Sequence, residues 1–384
     1  MYDLLLKGGH VIDPANAVDE AADVAIADSR VVALGPGLDP GMSKRTIDVS
    51  GHYVVPGLID MHVHAFGYKA SLPPDVHALS NGATTVVDAG GAGWRSYDAF
   101  WEQVISRSRV RVLAFLNIVD AGMVDEVEQY VPAMSPGPCA ETIRRHHGVL
   151  VGVKVAHFMG TSWEAVDRAV AAGAESDTPV MVDFRPRPGR SYADLLLEHL
   201  RPGDIHTHMY AQHIPLLDES DRVCDYMWAA RKRGVFFDLG HGAGSFWWRI
   251  AAPAVEQGFV PDTLGTDLHT ASALGPNALL LPTMSKMLCL GMKLPEVIAG
   301  ATTMPARVIR RTDLGALGLG ATADVAVLQM VEGRVGMVDS GGARHWGDKQ
   351  LRCLLTLQGG KVVWDPTGLA SPDWQSAGRY TFLR

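Results

Sequence analysis

Eight short apolar segments, separated by stretches with helical periodicity, occupy most of the middle of the chain. The predicted strands cover residues 58–64, 84–89, 110–118, 150–156, 179–184, 204–209, 235–240 and 263–269. Strands that alternate with helices pair in parallel, because each helix returns the chain to the same end of the sheet. Eight such units over roughly 250 residues predict an α/β fold of the (β/α)8 TIM-like barrel type. An open doubly wound sheet is the alternative, but no Gly-x-Gly-x-x-Gly motif follows the first strand.

Both ends of the chain have the pattern of β-structure. Short apolar runs separated by turn residues fill residues 1–55, and similar runs cover residues 320–328, 351–357 and 359–364. We therefore predict a small composite β-sandwich built from residues 1–55 with 313–384. The barrel is expected to occupy residues 56–312.

Composition and charge narrow the functional classes. With 384 residues, of which 47% are hydrophobic, the chain can bury a large core. A formal charge of −8 without a basic cluster excludes a nucleic-acid groove. No apolar run is long enough to span a bilayer and no secretory signal is recognisable, so we expect a cytoplasmic protein without a membrane partner. The four cysteines are widely spaced, which indicates neither a disulfide framework nor a thiolate zinc site.

The first predicted barrel strand ends with two histidines, His62 and His64. Because side chains alternate along a strand, the two rings and Asp60 should share one face, as ligands of one metal ion must. The C-terminal ends of barrel strands are also where such folds carry their chemistry. A pair of this kind can arise by chance in a chain with 15 histidines. Other strand ends therefore have to supply further ligands.

Polar residues end two more of the predicted strands. Lys154 lies in the apolar run of strand four, where an ammonium group is costly unless it is paired or neutralised. A salt bridge inside the barrel is the ordinary explanation for such a lysine. Asp267 ends strand eight, where an aspartate is more often a helix cap or an ion-pair partner than a catalyst.

Taken together, these motifs resemble the amidohydrolase superfamily. The Pro-Gly-Leu-Ile-Asp-Met-His-Val-His run at residues 56–64 resembles the first barrel strand of that superfamily, and Thr-Asp-Leu-His at 266–269 resembles its last. The runs Gly-His-Gly-Ala-Gly-Ser-Phe at 240–246 and Ala-Thr-Thr-Met-Pro-Ala at 301–306 are similar to the dihydroorotase-like amidohydrolase/deacetylase branch. The resemblance covers nearly the whole chain.

The resemblance implies a metal centre. Its ligands would be His62, His64, Lys154, Asp183, His208 and Asp267. Lys154 would be carboxylated by carbon dioxide, which converts its cation into a carbamate that bridges two metals. One or two divalent ions are implied, with zinc as the first choice and manganese, cobalt or iron as alternatives. Asp267 would be the catalytic residue that also binds metal.

Strands five and six depart from the pattern of the branch. Asp183 stands where the branch places a histidine ligand, and strand six adds His206 two residues before His208. With Asp183 as a ligand, the formal charges of a two-metal site cancel, so this site should acidify its water less than the usual version. A site with one metal is the alternative. His206 could contact the metal region, hold Asp183 in place, or be an ordinary core histidine.

The resemblance implies a hydrolase in which a metal-bound hydroxide attacks the carbonyl of an amide or ester, while Asp267 carries the proton to the leaving group. The substrate is expected to be a small N-acyl or O-acyl acid. We predict substrate contacts from His241, Arg185 and His206, with Arg187 and Tyr68 on neighbouring loops. A turn for His241, and simple solvation for the arginines, are the plainer alternatives.

Other activities remain open at this point. The same residues suit a cyclic-amide hydrolase of the dihydroorotase or hydantoinase kind, or an enzyme like adenine deaminase. A non-hydrolytic barrel enzyme, such as a decarboxylase or isomerase, and a non-catalytic assembly protein are alternatives of another class. We expect a small-molecule substrate and a homo-oligomer.

Overall fold

The structure, a computed structural model, describes residues 1–378. Its strands are β1 (Leu4–Asp13), β2 (Val18–Ala27), β3 (Arg30–Gly35), β4 (Thr46–Asp48), β5 (Tyr53–Pro56), β6 (Leu58–Val63), β7 (Ala83–Gly93), β8 (Arg111–Asn117), β9 (Leu150–Val155), β10 (Val180–Val182), β11 (Ile205–His206), β12 (Phe236–Phe237), β13 (Val325–Val338), β14 (Arg344–Gln358) and β15 (Lys361–Trp364).

The α-helices lie mainly between the strands of the middle region. They are α1 (Pro74–Leu79), α2 (Tyr97–Phe100), α3 (Pro136–Arg145), α4 (Glu164–Ser176), α5 (Tyr192–Asp194), α6 (Asp225–Arg233), α7 (Trp248–Glu256), α8 (Thr270–Leu274), α9 (Leu280–Cys289), α10 (Leu294–Gly300) and α11 (Thr303–Val308). Two π-helical segments, Trp101–Ile105 and Leu195–His199, extend α2 and α5. Among residues 1–378, no helix has both the length and the apolar composition needed to cross a lipid bilayer.

Strands from both ends of the chain share one sheet of eight strands. Its order is β15-β14-β13-β5-β1-β2-β3, and β4 pairs with β1 outside this path. Apolar side chains from both ends, including Leu6, Val24, Val325 and Leu355, pack in one cluster. The β-sandwich predicted from the two ends corresponds to this sheet. Residues 379–384, which the prediction assigned to it, lie outside the described residues.

The second sheet consists of seven strands, β6 to β12, which are neighbours in chain order and pair in parallel. The helices cover it with apolar faces. Helix α4 shows why, because its buried residues Ala165, Ala169 and Ala172 recur at spacings of four and three, which places them on one face. That face packs on β9 and β10.

Side chains of this sheet alternate between two apolar clusters. Ile59, Met181 and Ile205 belong to a cluster formed by the same face of consecutive strands. Val180 and Val182, the neighbours of Met181, belong to the cluster that includes the helices. This alternation is the expected consequence of a strand period of two.

The predicted eighth strand differs from the others. Residues 263–268 form only isolated bridges, from Thr263 to Asp238 beside β12 and from Leu268 to Val63 in β6. Hydrogen bonds support both contacts, since Leu239 N donates to Thr263 O and His64 N donates to Leu268 O. Asp267 has a φ of 48°, a left-handed conformation that interrupts an extended strand. The segment therefore touches both edge strands without being a regular strand.

Candidate metal centre

A small cavity of about 40 Å³ lies at the C-terminal ends of the parallel strands. The six predicted metal ligands, His62, His64, Lys154, Asp183, His208 and Asp267, all line it. The remaining lining residues are Tyr68, Met123, Ala156, His157 and His269. The predicted substrate contacts His206, His241 and Arg185 do not line the cavity.

Strand β6 presents its two histidines through a break in register. The pairing of β6 with β7 shifts between Asp60 and Val63, so the simple alternation predicted for Asp60, His62 and His64 fails there. Asp60 turns away from the cavity, and its Oδ2 accepts a hydrogen bond from Thr266 Oγ1 at 2.6 Å. The expectation that Asp60 shares the histidine face is therefore wrong.

Two of the histidine rings are held through Nδ1. His62 Nδ1 donates to Asp238 Oδ2 at 2.9 Å, and His208 Nδ1 donates to the carbonyl of Gly240 at 2.7 Å. The Nε2 atom of His62 is buried without a hydrogen-bond partner. Burial and the charge of Lys154 lower the pKa of His62 to about 4, which keeps this ring neutral at pH 7. Neutral rings with an anchored Nδ1 and a free Nε2 are how proteins present metal ligands.

Asp267 completes the tightest group of possible ligands. One ligand atom each from His62, His208 and Asp267 lie within 4.8 Å of one another. Oδ1 of Asp267 accepts a hydrogen bond from His64 Nε2 at 2.8 Å. Burial alone would raise the pKa of Asp267, but the hydrogen bond from His64 holds the pKa well below its usual range. A β-carbon at Gly242 would collide with Oδ2 of Asp267, so the glycine leaves room for the carboxylate.

Lys154 lies at the end of β9 with 1% of its surface exposed. Its Nζ contacts Met181 Sδ at 3.4 Å, and among the described residues no carboxylate lies within ion-pair distance of it. Burial lowers the pKa of Lys154, while the charges of Asp183 and Asp267 oppose that shift. Within the described residues, Lys154 therefore forms no salt bridge, which was the ordinary explanation for a lysine in this strand.

Asp183 follows β10 and faces two imidazole rings. Its Oδ2 lies 3.4 Å from His157 Nε2 and 3.9 Å from His208 Nε2. Burial favours a higher pKa for Asp183, but the charges of His208, His157 and Lys154 hold the pKa well below its usual range. The carboxylate is therefore ionised and available as a ligand.

His206 does not share a face with His208. β11 ends at His206, and His208 has a left-handed φ of 62°, which breaks the alternation expected for a strand. The His206 ring packs on Tyr192 and Phe237, and neither of its nitrogens has a hydrogen-bond partner. Burial lowers its pKa to about 3. His206 therefore packs as a neutral core residue, the plainer of its predicted roles, and does not line the cavity.

His241 is fully occupied by protein contacts. Its Nδ1 donates to the carbonyl of Gly242 at 2.9 Å, and its Nε2 accepts a hydrogen bond from Lys286 Nζ at 2.7 Å. The ring also stacks on Phe246. Both nitrogens are thus engaged and the ring is buried, so in this structure His241 offers no free nitrogen to a substrate.

Neither of the predicted arginines, Arg185 and Arg187, lines the cavity. Arg185 is exposed, and Arg187 contacts Met159 Sδ and the carbonyl of Pro186. A larger cleft of about 540 Å³ shares Tyr68, Met123 and His157 with the small cavity. Lys69 lines this cleft, together with the carboxylates Glu126 and Glu128. The substrate contact predicted for Arg185 stays a prediction, and Lys69 is a second candidate because it lines the cleft.

Three residues of the site were not recognised in the sequence: Asp238, His157 and Glu128. Asp238 lies within the seventh predicted strand, residues 235–240, and directly follows β12 in the structure, so a carboxylate in that apolar run was an available signal. His157 follows Lys154 by three residues, one residue beyond the predicted strand. Glu128 lies in a short 3₁₀ segment, Asp125–Gln129, and accepts a hydrogen bond from His157 Nδ1 at 2.8 Å. Nothing in the local sequence marks Glu128.

The donor set fits a divalent cation. Neutral imidazole nitrogens and ionised carboxylates are the ligands that zinc and similar ions prefer. The unpartnered Nε2 of His62 is explained by such an ion, because a buried polar atom is otherwise costly. The same cavity opens on a cleft that is large enough for a small organic molecule.

Comparison with known proteins identifies relatives of this chain. No family model matches it. A deacetylase from Agrobacterium fabrum is 30% identical over 338 residues, covering 85% of this chain and 83% of that protein. A deacetylase from Enterococcus faecalis is 28% identical and covers 94% of this chain and 99% of its own length. A dihydroorotase from Trichlorobacter lovleyi is 44% identical over 89 residues, which is 22% of this chain and 21% of that protein.

Solved structures agree with these relatives. An adenine deaminase superposes with a TM-score of 0.87 at 27% identity, covering 95% of this chain and 100% of its own. A dihydroorotase superposes with a TM-score of 0.83 at 27% identity, covering 94% and 99%. The resemblance found in the sequence is confirmed by both comparisons. The chain therefore belongs to the amidohydrolase superfamily, among the deacetylases and dihydroorotases, and is a metal-dependent hydrolase.

Proposed function

We propose that this enzyme removes acyl groups from small N-acyl or O-acyl acids. The observation that carries the proposal is the joined cavity and cleft, in which the metal ligands lie beside Lys69 as a cation for a substrate carboxylate. Two relatives that align with 85% and 94% of this chain are named deacetylases. An acyl acid suits both features, because it offers a carbonyl to the metal centre and a carboxylate to the lysine.

The proposal includes a closed (β/α)8 barrel. Seven parallel strands and the bridges of residues 263–268 to both edge strands support closure. A closed barrel brings Asp267 back beside His62 and His64, since the last segment then neighbours the first strand. The contact of His64 with Asp267 fits this arrangement.

The residues that would hold metal are His62, His64, Lys154, Asp183, His208 and Asp267. We propose one or two divalent ions, zinc first, with Lys154 carboxylated by carbon dioxide. A bound ion supplies Lewis acidity, which polarises a carbonyl oxygen and lowers the pKa of a water molecule. A carbamate at Lys154 would replace a buried cation by an anionic oxygen ligand.

The chain's own contribution to catalysis centres on Asp267. Its ionised carboxylate is placed to take up a proton at Oδ1 and to release it to the leaving group. His64 Nε2 holds that oxygen at 2.8 Å, and His62 Nε2 lies 3.6 Å from it. Asp238 and Gly240 orient the rings of His62 and His208 and fix which nitrogen faces the cavity.

Cyclic-amide hydrolysis or adenine deamination is the second candidate. The observation that favours it is the close superposition on an adenine deaminase and on a dihydroorotase. These reactions would use the same metal ligands and the same aspartate, and would differ in how the cleft binds substrate.

A substrate panel tests the proposal. Acetylated amino acids and hydroxy acids, cyclic amides and aminopurines would be assayed with zinc, manganese or cobalt. We expect turnover of the acetylated acids and its loss in Asp267→Asn, with metal still bound through the histidines. Activity confined to cyclic amides or purines would favour the second candidate. Full activity in Asp267→Asn would refute the role of that carboxylate.

A further inference from the structure

Two histidines of the cavity, His157 and His208, leave their strands in the same way. Each is the second residue after the end of a strand, β9 for His157 and β11 for His208. Each has a left-handed backbone, with φ of 56° for His157 and 62° for His208. This conformation is uncommon for a residue other than glycine and persists where the surrounding structure requires it. The same turn therefore directs both side chains into the cavity that they line.

The two rings are also oriented by the same kind of contact. Nδ1 of His157 lies 2.8 Å from Glu128 Oε2, as Nδ1 of His208 lies 2.7 Å from the carbonyl oxygen of Gly240. In each ring an oxygen holds Nδ1, and Nε2 faces the cavity. Glu128 is itself only 4% exposed. A buried carboxylate that fixes a histidine through Nδ1 is the usual support of a metal ligand.

The Nε2 atoms of both rings lie near one carboxylate. Oδ2 of Asp183 lies 3.4 Å from His157 Nε2 and 3.9 Å from His208 Nε2, and Lys154 lines the same cavity. This set is distinct from the tight group of His62, His208 and Asp267. His208 belongs to both, as expected of a residue placed between two ion positions.

We propose that His157 is a ligand of a second divalent ion, together with Asp183, His208 and Lys154, and that Glu128 positions its ring. The inference rests on the proposed function and deepens it. The histidine that strand five lacks is then replaced from the loop after strand four. Asp183 itself supplies an anionic oxygen ligand to the second ion, so the change from histidine to aspartate at strand five does not remove a ligand.

A plain ion pair of His157 with Glu128 and Asp183 would account for the two contacts but not for the backbone. His199 makes such a contact with Asp167, at 2.7 Å, from the last residue of the π-helical segment Leu195–His199, and it does not have a left-handed backbone. His157, in contrast, has the left-handed backbone that His208 and Asp267 share in the same cavity. All three residues line the same cavity, and His208 and Asp267 are predicted metal ligands. We therefore infer the same role for His157.

Metal titration tests the inference. Protein stripped with a chelator would be titrated with Co²⁺ alone, with bound ions counted by elemental analysis and ligand changes followed in the visible spectrum. The variants are His157→Gly, which suits the left-handed backbone, and Glu128→Gln, which keeps the histidine. His199→Asn is the matched control, because it removes a histidine paired with a carboxylate outside the cavity.

We expect two Co²⁺ ions per chain in the wild type and in His199→Asn. His157→Gly should retain one ion and bind the second at least about 10-fold more weakly, and added imidazole should restore the second ion. Glu128→Gln should weaken the second ion by roughly 10-fold to 100-fold. If His157→Gly does not fold, the Glu128→Gln titration decides by the same measurement.

Unchanged affinity for two ions in both variants would overturn the inference, and so would a wild type that binds only one ion. These outcomes differ from failure of the proposed function. A wild type that hydrolyses acyl acids while the variants keep both ions refutes the ligand role alone. A wild type that binds two ions through His157 but leaves every acyl acid intact refutes the substrate alone.

Discussion

Asp238 Oδ2 lies 2.9 Å from Nδ1 of His62, and both side chains are fully buried. The same carboxylate accepts hydrogen bonds from Thr207 Oγ1 at 2.7 Å and Thr263 Oγ1 at 2.8 Å. Burial alone would raise the pKa of Asp238, but these hydrogen bonds lower it, so the carboxylate is ionised. Asp238 therefore fixes the ring of the first metal ligand without lining the cavity.

Replacing Asp238 by asparagine should weaken metal binding without removing a ligand. We expect Asp238→Asn to lose roughly 10-fold to 100-fold in metal affinity, because the neutral amide no longer holds the His62 ring in one orientation. Competition with a coloured chelator measures this change. Asp60→Asn is the control, since it alters an equally buried carboxylate that bonds Thr266 rather than a ligand ring. Equal affinities in the two variants would contradict the role of Asp238.

Lys154 should carry a carbamate in the metal-loaded enzyme. The ammonium first loses one proton, and the neutral amine then adds to the carbon of carbon dioxide and releases a second proton, so a buried cation becomes an anion. Protein loaded with ¹³C-labelled bicarbonate should show one carbamate resonance, which Lys154→Ala abolishes together with bound metal. Lys286→Ala, at another buried lysine, should keep the resonance. Density for an unbranched Lys154 in metal-loaded crystals would refute the modification.

Lys69 should bind the substrate carboxylate. We expect Lys69→Met to raise KM for acetylated acids roughly 10-fold with little change in kcat, because one charged contact is lost equally from substrate and transition state. Arg187→Met should leave KM unchanged, since that guanidinium contacts Met159 and Pro186. Steady-state kinetics of both variants provide the comparison. If only Arg187→Met raised KM, the substrate carboxylate would be bound by the arginine and not by Lys69.

Lys286 should make stability depend on pH in the alkaline range. Burial lowers its pKa from 10.5 to about 7. Between those values the unfolded chain binds a proton that the folded chain does not, so the wild-type free energy of unfolding rises with pH. Relative to Lys286→Met, the gain should be at most about 1.4 kcal/mol per pH unit.

Urea unfolding at pH 7, 8 and 9 measures that slope. Lys232→Met, at an exposed lysine, should parallel the wild type. Parallel pH profiles for the wild type and Lys286→Met would show that Lys286 titrates alike in both states. The comparison concerns slopes because Lys286→Met also leaves His241 Nε2 without its donor, an effect that is independent of pH.

The sequence by itself predicted that polar residues at strand ends would meet, and His62, His64, Lys154 and Asp267 do line one cavity. Parallel strands bring their C-terminal ends to one edge, whatever the details of packing, and the family resemblance supplied the ligand roles. The apolar periodicity also indicated the order of strands and helices and the joining of both chain ends in one β unit. These features depend on the local periodicity of apolar residues, which can be read from short segments of the sequence.

Tertiary structure alone decided which side chains reach the cavity. Alternation predicted that Asp60 would share a face with His62 and His64, but a register shift in β6 turns it to another face. Alternation also predicted a shared face for His206 and His208, but the left-handed backbone of His208 separates their directions. Asp238 and Glu128 gain their roles through partners 176 and 29 residues away in sequence. No local pattern encodes such pairs, because they arise only when separate elements pack together.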